Sequence, residues 1–342
     1  MVLNGLVNRP APHIVIIGGG TGNFTLLQEL KLLTPNISVI VNMCDDGGST
    51  GLLRDELGVL PPGDIRQCLA ALSDTPEVRD LFSYRFNKGS LKNQSIGNMI
   101  LSGLELQYGS FEQAVQVASR ILHITGQVLP VSLQEHTLVL QDGVDTIRGQ
   151  FVIINHAIKN ADARVRLNPT VTLNPIAIAA IARADLIVIS PGNLYGSLLP
   201  VLSVGGMGQA LRAAAAPKIV VANLVNKPGQ TDDWHVVDYV KALESYIGAN
   251  QIDYVLYNDK PPSAELLRRY AAKGEFPVGT EPSRFREITA SATGAHFVAR
   301  AMIVHDPNDT IIKRTLIRHD ANQVGRQLLR ILAEQAVTDI KA

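Results

Sequence analysis

The sequence predicts an α/β protein with a doubly wound, Rossmann-like, mostly parallel sheet and a small inserted antiparallel β subdomain. Two observations predict the sheet. Short apolar runs alternate with segments whose apolar residues recur at helical spacing, and the first run, HIVIIGGG, enters a glycine loop. A third observation predicts the insert, because residues 127–170 contain several short strand-like segments in succession.

The first part of the chain contains a strand–helix–strand unit. The buried run HIVIIGGG is followed by NFTLLQELKLL, which has helical periodicity, and then by the run ISVIVNMC. This length is typical of a right-handed crossover between parallel strands. The segments predicted to be the next helices are DIRQCLAALS, PEVRDLFSYRF, SIGNMILSGLELQ and FEQAVQVASRILHI.

The pattern changes after these helices. VLPVSL, HTLVLQD, DTIRGQFVI and ARVRLN are short, and Asp142-Gly143 is a turn signal between two of them. We therefore predict a Rossmann-like core over 13–126 and 171–335. We also predict a β-rich insert over 127–170 and a flexible N-terminus over 1–12.

The α/β pattern resumes after the insert, with strands predicted at DLIVIS, KIVVANL and DYVLYN and a closing amphipathic helix after RHD. Four polar or glycine-rich motifs follow predicted strands: GGGTGN, CDDGGST, SPGNLYGS and NLVNKPGQ. Ligands of open α/β sheets bind beyond the carboxyl ends of the strands. The motifs therefore predict one binding site at that edge of the sheet.

Composition excludes several classes of protein. The chain of 342 residues is 46% hydrophobic and has 31 basic and 31 acidic residues, which argues against a generally basic nucleic-acid binder. Cys44 and Cys68 are the two cysteines, too few for a disulfide framework, and we expect buried, reduced thiols. The N-terminus is unlike a signal peptide, and no apolar run predicts membrane insertion, so we expect a cytoplasmic protein.

The glycine loop at Gly18–Asn23 is predicted to bind a phosphate or diphosphate. Glycine lets backbone N–H groups approach an anion closely, and the following helix contributes the favourable end of its dipole. Asn23 replaces the third glycine of GxGxxG, and the GK(S/T) ending of a Walker loop is missing. The alternative is a tight turn without a ligand.

Asp45 and Asp46 end the second predicted strand. An acid at that position of a dinucleotide fold binds ribose hydroxyls, and carboxylates beside a diphosphate can hold Mg²⁺. Adjacent residues of a strand point to opposite faces, so we expect one of the two acids to face the crevice. Alternatively, both stabilise the Gly47-Gly48 turn.

Three later segments complete the predicted site. In PPGDIR, Asp64 is either a helix N-cap or a ligand-binding acid, and Arg66 is a cation in a first helical turn, where the dipole disfavours it. Asn98 begins a helix in SIGNMI, and SPGNLYGS offers amide, phenol and hydroxyl groups. The predicted ligand-binding residues are Gly18, Gly19, Gly20, Thr21, Gly22, Asn23, Asp45, Asp46, Gly47, Ser49, Asp64, Arg66, Asn98, Gly192, Asn193, Tyr195 and Ser197, with Asp45 and Asp46 also the candidate Mg²⁺ ligands. Tyr270 and Arg318, from the C-terminal part of the chain, are further candidates for the far end of the ligand.

These motifs together resemble the YvcK/CofD family, and most closely its YvcK branch of gluconeogenesis factors. The resemblance covers most of residues 13–335. It runs through IGGGTG, DDGGSTGLLRDELGVLPPGDIRQCLAALSD, IGNMILSGL, SPGNLYGSLLPVL, NLVNKPGQTD and RHD. It implies a Rossmann-like core with an added subdomain and a nucleotide-type ligand at the strand ends. Asn193 and Gly196 depart from the GPGSLYTS pattern of the YvcK branch.

The two branches imply different functions. The YvcK branch implies a cytoplasmic factor that binds UDP-sugars, notably UDP-N-acetylglucosamine, and supports cell-wall morphogenesis and growth on gluconeogenic carbon sources. The CofD branch implies a transferase that moves a phospholactyl group from a GDP-linked donor to a deazaflavin precursor, with Mg²⁺ on an aspartate. Whether the chain is an enzyme stays open, as does binding of a dinucleotide such as NAD without chemistry.

The expected partner is therefore a nucleotide-sugar, with no nucleic acid and no membrane insertion. A homo-oligomer and contacts with cell-wall regulatory proteins are left open.

Overall fold

The computed structural model describes residues 11–289, 296–299, 303–304 and 317–341. Residues 1–10, which make up most of the segment predicted to be flexible, lie outside the described residues. The predicted fold class is confirmed, because a parallel sheet forms the core and a separate three-stranded antiparallel sheet is inserted in it.

Strands of the described residues form three sheets. The strands are β1 (Ile14–Gly18), β2 (Ile37–Val41), β3 (Gln127–Pro130), β4 (Thr137–Asp142), β5 (Asp145–Arg148), β6 (Arg164–Asn168), β7 (Leu186–Ile189), β8 (Lys218–Val221), β9 (Tyr254–Tyr257), β10 (His296–Ala299), β11 (Ile303–Val304) and β12 (Arg318–His319). The main sheet has seven parallel strands in the order β10-β9-β8-β7-β1-β2-β3. Every residue of β1, β2, β7 and β8 is buried, so both faces of the sheet centre are covered.

The strand order places the switch point of the sheet between β1 and β7. From β1 the chain runs outward to β2 and β3, and after the insert it returns to β7 and runs the other way to β8, β9 and β10. The connections after β1 and β7 therefore diverge to opposite sides and leave a crevice at the carboxyl ends of these strands. The glycine loop and the SPGNLYGS loop follow β1 and β7.

The helices follow the predicted alternation. They are α1 (Gly20–Leu30), α2 (Gly48–Leu57), α3 (Gly63–Leu72), α4 (Pro76–Ser83), α5 (Ile96–Tyr108), α6 (Phe111–Ile121), α7 (Gln150–Ile153), α8 (Pro175–Ala182), α9 (Leu199–Leu202), α10 (Met207–Ala213), α11 (Val236–Ile247), α12 (Ala264–Ala271), α13 (Pro282–Thr289) and α14 (Ala321–Lys341). A π-helical turn at Leu194–Leu198 leads into α9. Helix α1 packs against α3 and α14. Within the described ranges, no helix combines the length and apolar character needed to cross a bilayer.

The inserted sheet is smaller than predicted. Strands β5, β4 and β6 form it in that order, all antiparallel, between Thr137 and Asn168. The run VLPVSL, predicted as part of the insert, instead supplies β3, which pairs in parallel with β2 at the edge of the main sheet. Val128 and Leu129 are buried there, which is the burial expected of a core strand rather than of a small surface sheet.

Cys44 and Cys68 are both buried and free, as predicted.

Candidate functional site

A cavity of about 350 Å³ opens at the carboxyl ends of β1, β7 and β8. This volume is in the range of pockets that bind small molecules and cofactors. The predicted residues that line the cavity are Gly19, Gly20, Thr21, Gly22, Asp64, Gly192, Asn193, Ser197 and Arg318. The lining residues outside the predicted set are Thr25, Leu26, Pro191, Val221, Asn223, Leu224, Val225, Ile317, His319, Ala321 and Val324, of which Pro191 and residues 223–225 lie in the predicted motifs SPGNLYGS and NLVNKPGQ.

The glycine loop presents the N-terminus of α1 to this cavity. Gly19 caps the helix in an extended conformation, without a side-chain cap, and the first turn contains no acidic residue. The first backbone N–H groups of a helix have no partner within the helix, so this end can bind an anion. A Cβ at Gly22 would lie 1.8 Å from the Pro191 carbonyl oxygen, so only glycine permits the close approach of α1 to the loop after β7.

Asp64 lies against the same loop. Its carboxylate oxygens are close to Gly19 and Gly20, where a Cβ on either glycine would contact them at 3.2 and 2.8 Å. Pro62 is the N-cap of α3 and Asp64 lies in its first turn, so the N-cap interpretation of Asp64 is wrong. Burial and the neighbouring Asp45 raise the pKa of Asp64 to about 7. A carboxyl group that holds a proton near neutral pH therefore faces the anion-binding end of α1.

Asp45 and Asp46 point in different directions, as expected for adjacent residues of an extended segment. Asp46 accepts hydrogen bonds from the backbone N–H groups of Gln150 and Phe151, at 2.8 and 2.7 Å. These bonds hold the N-terminus of α7, and with it the insert, against the core. Asp45 accepts a bond from the Gly47 N–H group and faces α3. Asp45 is therefore the acid closer to Asp64, and Asp46 has a structural role.

The predicted Mg²⁺ site on Asp45 and Asp46 stays a prediction. In the part of the chain that the structure describes, no three histidine, cysteine or carboxylate side chains gather as a metal site. Because both Asp46 oxygens are bonded to α7, the pair that offers carboxylates to a cation is Asp45 and Asp64.

We predict that Asp46→Ala lowers the free energy of unfolding by about 1–2 kcal/mol, because two helix N–H groups lose a charged acceptor. Urea denaturation measures this change. Asp45→Asn is the matched variant, which keeps the α7 contacts and is expected to weaken ligand binding instead. Replacement of an acid that only binds the ligand would instead weaken binding with little loss of folding. An Asp46→Ala protein as stable as the wild type contradicts the structural role.

Arg66 and Asn98 form a buried polar pair behind Asp64. Arg66 is 6% exposed, and its Nε atom donates a hydrogen bond to Asn98 Oδ1 at 2.9 Å. The Asn98 amide nitrogen donates to Thr50 Oγ1 on α2 at 3.4 Å. Neither side chain lines the cavity, so both act by positioning the helices and acids that do.

The loop after β7 is fixed by side chains of its neighbours. Asn193 accepts a bond from the Gly196 N–H group at 2.6 Å and thereby caps the π-helical turn, a feature that is frequent at functional sites. Asn223, at the end of β8, exchanges two hydrogen bonds with the backbone of Gly192. Ser197 lies beside Gly19, with its hydroxyl 3.0 Å from where a Cβ there would be.

Several predicted residues lie near the site without lining the cavity. Tyr270 accepts the Ile317 N–H group at 3.1 Å, so it positions the segment that carries Arg318. Ser49 donates a hydrogen bond to Gln94, and Tyr195 is 4% exposed within the core. The non-lining members of the predicted set are Gly18, Asn23, Asp45, Asp46, Gly47, Ser49, Arg66, Asn98, Tyr195 and Tyr270. Their roles in ligand binding stay predictions.

His319 is the ionisable residue that the sequence interpretation missed. Its Nε2 atom is 2.7 Å from the Ala222 carbonyl oxygen, a geometry in which Nε2 carries the hydrogen, and burial lowers the pKa of the ring to about 4. The ring is therefore neutral at physiological pH, and its Nδ1 atom is an acceptor.

Four buried polar atoms without a hydrogen-bond partner in the described ranges lie on residues near the glycine loop or the cavity, and of these four residues His319 lines the cavity. Asn23 Oδ1, Asn42 Oδ1, Ser190 Oγ and His319 Nδ1 are buried and have no hydrogen-bond partner among the described residues. Gly18 lies against both Asn23 and Ser190. Buried polar atoms are nearly always satisfied in folded proteins. Their concentration around one loop indicates a place where water or a ligand completes the hydrogen bonds.

Comparisons with known proteins give a family match and several similar proteins. The family model described as 2-phospho-L-lactate transferase CofD matches residues 14–298. The gluconeogenesis factor of Bacillus subtilis (strain 168) is 39% identical over 328 residues, which is 94% of this chain and 99% of that protein. The gluconeogenesis factor of Listeria monocytogenes is 35% identical over 329 residues, covering 95% of this chain and 97% of that protein.

A solved structure has the same fold. The crystal structure of a member of the UPF0052 family from Bacillus halodurans superposes with a TM-score of 0.84 at 31% sequence identity. The match covers 94% of this chain and 100% of that chain. The similarity therefore extends over the inserted sheet as well as the core.

Proposed function

This chain belongs to the CofD family, with relatives named gluconeogenesis factors, and we propose that it binds a UDP-sugar at the strand ends, above all UDP-N-acetylglucosamine. In the bound state it acts as a cytoplasmic factor that regulates cell-wall morphogenesis and growth on gluconeogenic carbon sources. The observation that carries the proposal is the cavity between the N-terminus of α1, the loop after β7 and β12. The choice of a UDP-sugar follows from the resemblance to the YvcK branch.

The cavity has an anion-binding part and an apolar part. The diphosphate is placed at Gly19–Gly22, where the helix N-terminus and its dipole favour negative charge, beside the Gly20 N–H group that contacts Asp64. Leu26, Val221 and Val324 give the same cavity an apolar wall, which suits one face of a base. Arg318 is the basic residue among the described residues that line this cavity.

The second candidate function is a CofD-like phospholactate transferase, favoured by the neighbouring carboxyl groups of Asp45 and Asp64. These two groups fit a Mg²⁺ ion, because carboxylate oxygens are its preferred protein ligands and the glycine loop beside them suits a diphosphate. Asp45 and Asp64 would hold the cation, which would supply neutralisation of charge on a diphosphate leaving group. The protein's own contribution is to position the donor with the α1 N–H groups.

We predict saturable binding of UDP-N-acetylglucosamine by the wild-type chain in calorimetric titrations that also include GDP and NAD, each with and without Mg²⁺. Ser197→Ala is expected to weaken this binding by about tenfold, because a hydroxyl beside the diphosphate site is lost. Ser203→Ala is the matched control, because Ser203 bonds to the Pro200 carbonyl outside the cavity and its loss is expected to leave affinity unchanged.

The ligand series separates the candidate functions. Binding of the UDP-sugar without product supports the regulatory factor. Preference for GDP that depends on Mg²⁺ supports the transferase and overturns the first proposal. Preference for NAD contradicts both.

A further inference from the structure

A second cavity, of about 200 Å³, adjoins the first at the ends of β8 and β9. Asn223 and Leu224 line both cavities and form the wall between them. This wall is held in place because Val278 donates its N–H group to the Leu224 carbonyl, and Val225 pairs with Pro277. The second cavity is therefore a continuation of the ligand site, from which it is separated by a wall that hydrogen bonds hold in place.

The two cavities differ in chemistry. The first has an apolar wall, whereas the second combines the Tyr257 ring and prolines at 261, 262 and 277 with the polar side chains of Asn258, Lys260 and Thr280. Flat apolar surface beside hydrogen-bonding groups is what a sugar ring requires, because its faces are apolar and its hydroxyls are polar.

The second cavity contains two polar groups, the Asn258 side-chain oxygen and the Thr280 hydroxyl, that can bond to a ligand. Asn258 Oδ1 is buried and unpaired among the described residues, while its amide nitrogen donates to the Lys260 carbonyl. The Thr280 side chain lines the cavity. An unpaired acceptor and a hydroxyl in one small space can take up a donor and an acceptor from one ligand.

We propose that this second cavity, lined by Tyr257, Asn258, Lys260 and Thr280, binds the sugar that is attached to the diphosphate of the nucleotide. The inference rests on the proposed function, because the diphosphate at the α1 N-terminus sets the starting point of the sugar. The base occupies the apolar cavity, the diphosphate lies at the glycine loop, and the sugar passes Asn223 and Leu224 into the second cavity.

The test compares UDP with UDP-N-acetylglucosamine in calorimetric titrations of full-length variants. Thr280→Val keeps the side-chain shape and removes only the hydroxyl, and is expected to weaken binding of the UDP-sugar by about three- to tenfold with UDP unchanged. Thr280→Phe fills the cavity and is expected to reduce the affinity for the UDP-sugar at least to that for UDP. Thr146→Val, on the distant β4–β5 hairpin, is the matched control and is expected to bind both ligands like the wild type.

Each outcome bears on a different claim. Selective loss of UDP-sugar affinity in both Thr280 variants supports the sugar site. Wild-type-like binding of both ligands, or equal weakening of both, overturns the sugar site and leaves the proposed function intact. A wild type that binds UDP as tightly as the UDP-sugar also overturns the sugar site. A wild type that binds neither ligand overturns the proposed function together with this inference.

Discussion

Replacement of Arg66 by methionine is expected to destabilise the protein by about 2–4 kcal/mol, because two buried acceptors lose the donor that satisfies them. Burial lowers the pKa of Arg66 to about 10, so the guanidinium is charged at neutral pH and offsets the acids Asp45 and Asp64 in front of it. Methionine leaves the Asn98 side-chain oxygen and the Phe82 carbonyl without their donor. Urea denaturation monitored by circular dichroism measures the loss.

Arg85→Met is the matched control. Arg85 is exposed and donates one hydrogen bond to the Asn93 carbonyl, so its replacement is expected to cost less than about 1 kcal/mol. Equal stability of the two variants contradicts the central role of Arg66. If Arg66→Met does not accumulate as folded protein, Asn98→Ala, which removes the acceptor of the same pair, is expected to destabilise in the same direction.

The parts of the fold that local patterns encode were predictable from the sequence. The buried runs of β1, β2, β7 and β8 alternate with segments whose apolar residues recur at helical spacing. The glycine loop is predictable because it lies between a predicted strand and a predicted helix. Strand β3 was assigned to the wrong sheet, because the short run VLPVSL has no local feature that distinguishes an edge strand of the core from a strand of the adjoining insert.

The division of roles within the site depends on residues far apart in sequence. Asp46 accepts a hydrogen bond from Gln150, which is 104 positions away, and therefore points away from the crevice. The sequence around Asp45 and Asp46 does not show which of the two makes this contact. His319 Nε2 donates to the Ala222 carbonyl, 97 positions away, and this contact determines which ring nitrogen carries the hydrogen. The second cavity joins the segments 257–262 and 277–280 across the chain, and neither contains a recognisable ligand motif.

The raised pKa of Asp64 predicts how stability depends on pH. The folded protein holds a proton up to a pKa of about 7, whereas an ordinary aspartate releases it near 3.8. Between these values the folded state binds more protons than the unfolded state, so wild-type stability falls as pH rises and the loss is complete above about pH 7. Asp64→Asn lacks this slope and is expected to be more stable than the wild type at about pH 8, by at most about 4 kcal/mol.

The same proton couples to anion binding. A bound diphosphate at the α1 N-terminus repels the Asp64 carboxylate but not the protonated acid, so affinity for the UDP-sugar is expected to fall as pH rises through 7, by up to about tenfold per pH unit. The groups that face Asp64 are Asp45, whose own pKa is raised by burial, the Asn42 side chain, the Gly20 N–H group and Arg66, which stays charged in this range. His319, with a pKa of about 4, stays neutral.

The decisive measurement is titration of the UDP-sugar at about pH 6.5 and 8.5 without divalent cation, in two buffers with different enthalpies of ionisation. The diphosphate of a UDP-sugar is esterified at both ends and does not titrate near neutral pH, so proton uptake on binding comes from the protein. We expect uptake by the wild type at the higher pH and none by Asp64→Asn, whose affinity is independent of pH. Added Mg²⁺ is expected to restore affinity at high pH if Asp45 and Asp64 together hold the cation. Two results together contradict the link between this carboxyl group and the glycine loop: the wild type binds without proton uptake, and the pH dependence of affinity is the same in Asp64→Asn. Two negative groups in such close contact repel each other, so a carboxylate beside a bound diphosphate must change its pKa.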